Sequence, residues 1–443
     1  MMRKFLQKKW VLVMIFLVLT FVGIQFIRTG VDNPPVTSDI AVPASVKKIF
    51  TDACYDCHSN ETKLSWFDKI VPAEWLVAKH VMEGRAAVNF SGWGNLSAAN
   101  QSATLFESLN LIQHKIMPLQ QYQLLHPVAK VGETEIDSIK SYLKTLFVTQ
   151  FIDTAKNMKW DKQYLKWIQE AGSQKIVKPA PNGIAFMPEY KNWVAISSTE
   201  RVDKGTLRVI VGNEIAVKAI KKNNINPWPD GSAFAKIIWV QTLDSAGDIH
   251  AGEFTQVDFM IKDKEKYTTT SGWGYSRWVK GIQLEPYGTN SILTTECANC
   301  HRSMKDNDYV FTTPVNITAD EGMEDKVLNS SVNKETGTMT TLYGNDIAAS
   351  FVRTHISTDY PAGTILTMVT WAQKEDAHWF GGNIPGNIQM IEKVRFSDTG
   401  GMNIIPSYER YEGNPLKKVV DVNMYDTKQR LSFILARRAD VMP

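Results

Sequence analysis

The chain has 443 residues, 44% of them hydrophobic and 21% charged, with a formal charge of +3 from 49 basic and 46 acidic side chains. That length predicts two or three domains of globular composition. So small a charge argues against a nucleic-acid partner, which would need a basic face.

At the N-terminus Arg3, Lys4, Lys8 and Lys9 precede an apolar run over residues 10–27, broken by Thr20, Gly23 and Gln25. The run approaches the ~20 residues that span a bilayer, and no small-residue cleavage pattern follows it. Residues 1–29 therefore read as an uncleaved transmembrane anchor with its cationic end inside, a cleaved or lipidated signal being the alternative. This predicts a single-pass inner-membrane protein with most of the chain in the periplasm. Residues 30–44, with Asn33-Pro34-Pro35, have the composition of a tether.

The chain has 4 cysteines, all in CxxC pairs followed directly by histidine: Cys54-Tyr55-Asp56-Cys57-His58 and Cys297-Ala298-Asn299-Cys300-His301. In c-type attachment two thiols with this spacing add to the haem vinyl groups and the next histidine ligates the iron. A shared zinc site would bring its pairs within about 15–20 residues of each other; these lie more than two hundred apart. A thioredoxin-like site needs a βαβ context and no following histidine. Two covalently bound c-type haems are expected, with Cys54, Cys57, His58, Cys297, Cys300 and His301 holding them.

Residues 45–148 read as an all-α domain. Val46, Ile49, Phe50 and Ala53 fall on one helical face leading into the first pentapeptide. A second helix starts at Pro72 and carries Trp75, Ala78, Val81 and Met82. A third, over residues 133–146, carries Ile136, Ile139, Leu143 and Leu146. Met117, followed by Pro118, is a candidate sixth iron ligand; its other reading is a core residue, and His80 and His126 are rival donors. With both axial positions filled, this domain would carry electrons. Residues 54–127 also resemble the bacterial haem-binding domain found in several exported oxidoreductases. The resemblance rests on the first pentapeptide, Trp66-Phe67-Asp68-Lys69-Ile70, Glu83-Gly84-Arg85, Asn89-Phe90-Ser91, Met117-Pro118 and His126-Pro127.

Residues 149–188 read as a polar helix and a linker. Beyond them, 205–239 aligns without a gap on 337–371, with 9 of 35 positions identical at an offset of 132. Matched Gly, Asn and Pro positions point to two copies of one backbone. Each copy predicts a strand, a short helix opening at Gly-Asn, a turn and a second strand; in the first copy 254–262 alternates again. Two mainly antiparallel β (α+β) modules follow, at 189–315 and 316–443, the second without cysteine.

The first module is similar to the cytochrome P-460 family of c-type haem proteins, some of which oxidise hydroxylamine. The matching residues are Trp228-Pro229-Asp230-Gly231 with Lys236 after it, Phe259-Met260-Ile261-Lys262-Asp263, Gly272-Trp273-Gly274, Thr295-Glu296 before the second pentapeptide, and Asp308-Tyr309-Val310-Phe311-Thr312. The resemblance implies a bond from Lys236 to the porphyrin rim and a distal carboxylate at Asp258 that accepts protons, where the hydroxylamine oxidisers carry glutamate. An ordinary strand lysine and a solvated aspartate are the competing readings. In the second module Lys236 maps onto Met368, and the imidazoles are His355 and His378. The expectation is a haem-free copy, with the Ala377-His378-Trp379-Phe380 loop a candidate cover for the first copy's pocket.

The chain thus reads as a dihaem oxidoreductase acting on a small nitrogen compound such as hydroxylamine at the second haem, with electron transfer through the first. Its expected partners are the small substrate or a gas ligand, an electron-acceptor protein and the membrane; a homodimer is left open. A nitric oxide or carbon monoxide binder without turnover and a dihaem peroxidase are the alternatives, with a pure electron conduit a weaker one.

Overall fold

A computed structural model describes residues 2–148, 153–171, 176–244, 247–315, 323–397, 405–420 and 423–443. Parts of the helix and linker expected over 149–188 and of the second module expected from 316 lie outside these residues. The chain forms two compact units, Met1–Leu146 and Phe147–Pro443.

The first unit is helical: α1 (Met2–Ile24), α2 (Ala44–Ala53), α3 (Tyr55–His58), α4 (Ala73–Ala87), α5 (Ala98–Gln113), α6 (Gln120–Leu125) and α7 (Glu133–Lys144). Its core joins Val46, Phe50 and Ala53 of α2, Ala78 and Val81 of α4, Leu105, Phe106 and Leu109 of α5, and Ile136, Ile139 and Leu143 of α7. The buried face of α4 runs through Glu74, Ala78, Val81 and Gly84, so Trp75 and Met82, expected on it, are 38% and 67% exposed.

The expected membrane anchor is not upheld, and with it falls the single-pass inner-membrane placement. Among the described residues no helix is long and apolar enough to cross a membrane. The physical reason is where α1 stops. It ends at Ile24, and the basic residues at 3, 4, 8 and 9 take its opening turns. The apolar remainder, 10–24, is about 22 Å long at 1.5 Å per residue, against a hydrocarbon layer of about 30 Å. The rest of the apolar run belongs to the folded unit: the Gln25 amide bonds both the C=O and the N–H of Val71 (2.9 and 3.0 Å), and the Trp75 indole donates to Ile27 O (2.7 Å). Nor is 30–44 a free tether. Gly30 N–H donates to Glu74 (2.6 Å), Arg85 bonds Asp32 O and the Asn33 side chain (2.6 and 2.9 Å), and Thr37 N–H donates to Ser91 O (3.0 Å).

The second unit is built on one antiparallel sheet of 12 strands, β1 (Val194–Arg201), β2 (Thr206–Gly212), β3 (Ala233–Leu243), β4 (Asp248–Lys262), β5 (Trp273–Val279), β6 (Glu285–Pro286), β7 (Lys326–Asn333), β8 (Thr338–Gly344), β9 (Ile365–Glu375), β10 (Gly382–Ser397), β11 (Ile405–Glu412) and β12 (Lys417–Lys418). The order β1-β2-β3-β4-β7-β8-β9-β10 closes on itself, because β10 pairs back to β1 at Glu200↔Asn383 and Arg201↔Gly382. The opposite seam joins the start of β4 to the end of β7, at Asp248↔Asn333 and His250↔Ser331. Each half of this closed sheet is one copy of the repeat, so the two seams are the same junction met twice.

The copies agree down to their caps. Helices α8 (Thr154–Gln169), α9 (Glu214–Lys221), α10 (Asn290–Ile292), α11 (Ala298–His301), α12 (Asp346–Val352) and α13 (Met424–Leu435) complete the unit. Asn213 caps α9 by accepting from Ala216 N–H, and Asn345 caps α12 by accepting from Ala348 N–H. Their amides donate to Gly231 O and Gly363 O, both at 2.8 Å, and both glycines turn at φ 84°, where a Cβ would be strained. Inside the sheet, Val209, Val211, Ala235, Ile237, Trp239, Val257 and Phe259 pack with the C-terminal residues Val441 and Met442; the Trp239 indole donates to Val441 O at 2.9 Å.

Candidate haem sites

The first pentapeptide sits where α2 passes into α3. Cys54 N–H donates to Phe50 O (2.8 Å) and His58 N–H to Cys54 O (2.9 Å), so a single helical turn brings together both thiols and the imidazole, at i, i+3 and i+4. Helix α4 packs directly on it: a Cβ at Gly84 would stand 2.5 Å from Cys57 O, so only glycine permits the contact. The His58 Nδ1–H donates to Val88 O at 3.2 Å, which fixes the tautomer and leaves Nε2 as the ligand nitrogen. Burial pushes the Cys54 and Cys57 thiols up to about 12 and about 11, the reverse of a reactive dithiol.

His126 is fully engaged elsewhere. Its Nδ1 meets Tyr122 O at 3.1 Å, its Nε2 meets Asp68 Oδ2 at 3.2 Å, and its ring stacks on Tyr122 at 4.1 Å. The Tyr122 hydroxyl in turn donates to Asp56 inside the pentapeptide at 2.5 Å. His126 is thus a clamp between α6 and the Asp68 turn. Met117 and His80 are both half-buried, and neither is joined to His58 by a hydrogen bond or ring contact among the described residues.

In the second unit a helical stretch from α10 through a π-type turn, Leu293–Cys297, to α11 presents Cys297, Cys300 and His301. The His301 Nδ1–H donates to Tyr309 O at 2.7 Å, again freeing Nε2. That carbonyl is aimed by two successive left-handed residues, Asp308 (φ 44°) and Tyr309 (φ 66°). The bend is held by the buried Asp308 carboxylate, which bonds Lys262 Nζ (2.8 Å) and Trp228 N–H (2.9 Å). The His301 ring lies 5.0 Å from Tyr275 and 5.1 Å from Phe311, and burial lowers it to about 4, a neutral nitrogen donor.

Tyr275 belongs to one face of the sheet, and the predicted site residues share that face. The register sets Ile210, Lys236, Asp258 and Arg277 in one row across β2, β3, β4 and β5. Lys236 Nζ lies 2.8 Å from Asp258 Oδ2, while Arg277 Nε and Gln256 Nε2 both donate to Oδ1 at 2.9 Å. Burial acts to raise the Asp258 carboxyl, but Lys236 and Arg277 outweigh it and hold the group at about 2. Burial lowers Lys236 against the pull of Asp258. The charges of Lys236, Asp258 and Arg277 all act on His301 and Cys297, so row and pentapeptide form one site. Arg277, Gln256 and Tyr275 escaped the sequence reading. The alternation of Trp273, Tyr275 and Arg277 after Gly272 is the available signal for Arg277 and Tyr275, and the 254–262 alternation, which sets Gln256 beside Asp258, for Gln256.

The second copy repeats the row with other chemistry. Leu342, Met368, Glu392 and Arg410 take the four places. Arg430 of α13 lies over them, bonding Glu392 through Nε at 2.8 Å and again through its terminal nitrogen, and reaching Met368 Sδ at 3.8 Å; Tyr408 adds a 2.6 Å bond to Glu392. That face is therefore filled by helix, and no cysteine stands near it. The 376–382 loop of this copy meets the first copy behind His301: His378 Nδ1–H donates to Phe311 O (2.6 Å), and Trp379 contacts Phe311 at 6.0 Å. His355 stacks on Phe351 at the surface.

Both pentapeptides fit haem by the chemistry of their donors: two thiols outside any disulfide, and an imidazole whose Nδ1 is tied to a carbonyl. Residues 19–145 match the haem-binding domain family, and residues 187–312 match the cytochrome P460 family. No curated protein matches the chain.

Proposed function

Because this chain is a haem protein that joins a haem-binding domain to a cytochrome P460 domain, we propose that it is a dihaem c-type cytochrome that oxidises a small nitrogen compound such as hydroxylamine. The observation that carries this reading is the convergence of Lys236, Asp258 and Arg277 on the Cys297–His301 helix. Haem bound there supplies the redox centre and a ligand position for the substrate.

The protein's own groups do the rest. His301, neutral and aimed by Tyr309 O, donates Nε2 from one side. Asp258 is the acceptor for the protons that substrate oxidation releases, and Arg277 and Gln256 fix its orientation. Held at about 2, it is a weak base while Lys236 keeps its ammonium charge. In a protein whose Lys236 nitrogen were joined to the porphyrin rim, as the family resemblance implies, Lys236 would be a neutral amine in place of an ammonium, and Asp258 would hold a proton more tightly. In the first unit Cys54, Cys57 and His58, with Met117 as a further proposed ligand, would hold the other haem, which would supply an electron carrier toward a separate acceptor protein.

The same ion pairs favour a second reading. With Lys236 uncoupled from the porphyrin, Asp258 stays locked between two cations, and the site binds nitric oxide or carbon monoxide without turnover. The twelve-stranded sheet of the second unit argues against a dihaem peroxidase, which is helical in both domains. Steady-state oxidation of hydroxylamine with a one-electron dye acceptor separates the two readings. Turnover that falls about 100-fold in Asp258→Asn, with ligand binding intact, is expected for catalysis; binding without turnover in the unmodified protein selects the gas binder.

A further inference from the structure

The face that carries Lys236 and Asp258 extends onto β2, where its charges no longer balance. Arg208 pairs in register with Ile238 and so lies diagonal to Lys236 on the same face, within reach of a long side chain. Five cations, Arg201, Lys204, Arg208, Lys236 and Arg277, gather about three carboxylates: Asp258, which Lys236 and Arg277 already occupy, Asp203, and Asp376, whose charge acts on Arg201 and Arg208 without a hydrogen bond to either. The nearby Asp203 is bound on both oxygens by Arg201. The Arg208 side chain makes no hydrogen bond among the described residues, and its Nε is buried. Burial, then repulsion from Arg201 and Arg277, works against its charge and depresses it to about 9, with Asp203 and Asp258 pulling the other way. A guanidinium does not give up its proton under such stress; it acquires an anion.

Two further buried donors lack partners beside it. Thr206 Oγ1 is two positions away on the same face of β2, and Trp379 Nε1 belongs to the ring that covers the Arg201 guanidinium at 4.3 Å. Arg201 is the register partner of Thr206, so all three groups gather at one corner of the face. Buried polar atoms without partners are uncommon in folded proteins and mark a place where a ligand, ion or water completes the set. Fork-shaped Arg with hydroxyl and indole donors suits a planar carboxylate or a small oxyanion.

We propose that Arg208, Thr206 and Trp379 form a subsite for a carboxylate or small oxyanion at the edge of the second haem face. It deepens the function proposed above. The ligand chemistry has two sources: a propionate of the haem itself, or a free anion of the nitrite and formate class. Trp379 gives the cysteine-free copy a direct part in the site.

The test uses the full haem-loaded chain, unmodified and as Arg208→Gln, Arg208→Lys and Thr206→Val. Haem attachment is first checked by mass spectrometry. Formate is titrated into the ferric protein by absorption, and the midpoint potential of the second haem is followed from about pH 5 to 8, where an exposed carboxylate begins to titrate. If a free anion is the ligand, formate binding saturates in the unmodified protein. It weakens at least ~10-fold in Arg208→Gln and recovers in part in Arg208→Lys, which keeps the charge but not the fork. If a propionate is the ligand, formate has no effect. Arg208→Gln then lowers the midpoint potential and makes it rise as pH falls, while Arg208→Lys restores the original behaviour. If Arg208→Gln and Thr206→Val match the unmodified protein in both measurements, the subsite does not exist. Should haem be missing at Cys297–His301, the proposed function fails separately. The subsite is then read as a formate-dependent rise in Tm that Arg208→Gln abolishes, and absence of that rise overturns it.

Discussion

Lys236 and Asp258 face each other across the β3–β4 ladder with Nζ 2.8 Å from Oδ2, and Arg277 closes the carboxylate from the other side at 2.9 Å. While Lys236 keeps its ammonium charge, this triad holds the carboxylate well below the ordinary carboxylate range. It also makes the charge on Lys236 the quantity that sets how strongly Asp258 holds a proton.

The triad leaves a signature in acid. Asp258 moves from its ordinary 3.8 to about 2 in the folded chain. Its contribution, about 2 kcal/mol, is complete above the unfolded value and fades as pH falls from about 4 to about 2. Arg277→Met should therefore lose about 1–3 kcal/mol in urea unfolding at pH 7. The gap to the unmodified chain should narrow when the experiment is repeated at about pH 3. An equal gap at both pH values would show that Arg277 acts through packing alone.

Lys262 and Asp308 are nearly sealed from solvent, with side chains 2% and 9% exposed. Replacing one leaves the other charge buried and unpaired, so Lys262→Met should cost about 3–5 kcal/mol. Because Asp308 holds the bend that aims Tyr309 O at His301, the same variant should broaden the spectral signature of the second haem. The double variant Lys262→Met/Asp308→Leu should regain much of the stability in urea midpoints without regaining the spectrum.

Gly84→Ala probes the first site alone. The added methyl meets backbone at Cys57, not a movable side chain, and the strain of about 1–3 kcal/mol falls on the helix that carries both thiols. For the proposed dihaem protein, haem content measured per chain should fall from two toward one, with the Cys297–His301 peptide still loaded.

Arg430 should behave in the opposite way. Glu392 is fully buried beneath it, so Arg430→Leu should destabilise the second unit by about 3–5 kcal/mol in chemical unfolding. Haem content and ligand binding should stay unchanged.

What could be read from sequence was local. The pentapeptides are fixed by spacing within five residues, and the Pro-Asp-Gly turn by the chemistry of three adjacent residues. Asp258 and Lys236 came from a family resemblance, because nothing in either strand alone says that they face each other. That fact is a register, set by the β3–β4 hairpin. Arg277 and Arg208 lay beyond reach for the same reason, on strands whose order is a long-range property. The repeat was visible at matched Gly, Asn and Pro, but the closing of both copies into one sheet was not. Hydropathy misled at the N-terminus because it counts apolar residues regardless of where the helix ends. Gln25, bonded to Val71, marks that end.

The most direct test is mass spectrometry of the proteolysed, haem-loaded protein. The account predicts a single haem carrying both the Cys297–His301 peptide and a peptide containing Lys236. A haem on the Cys297–His301 peptide with Lys236 recovered free would contradict the catalytic reading and leave a gas-binding site.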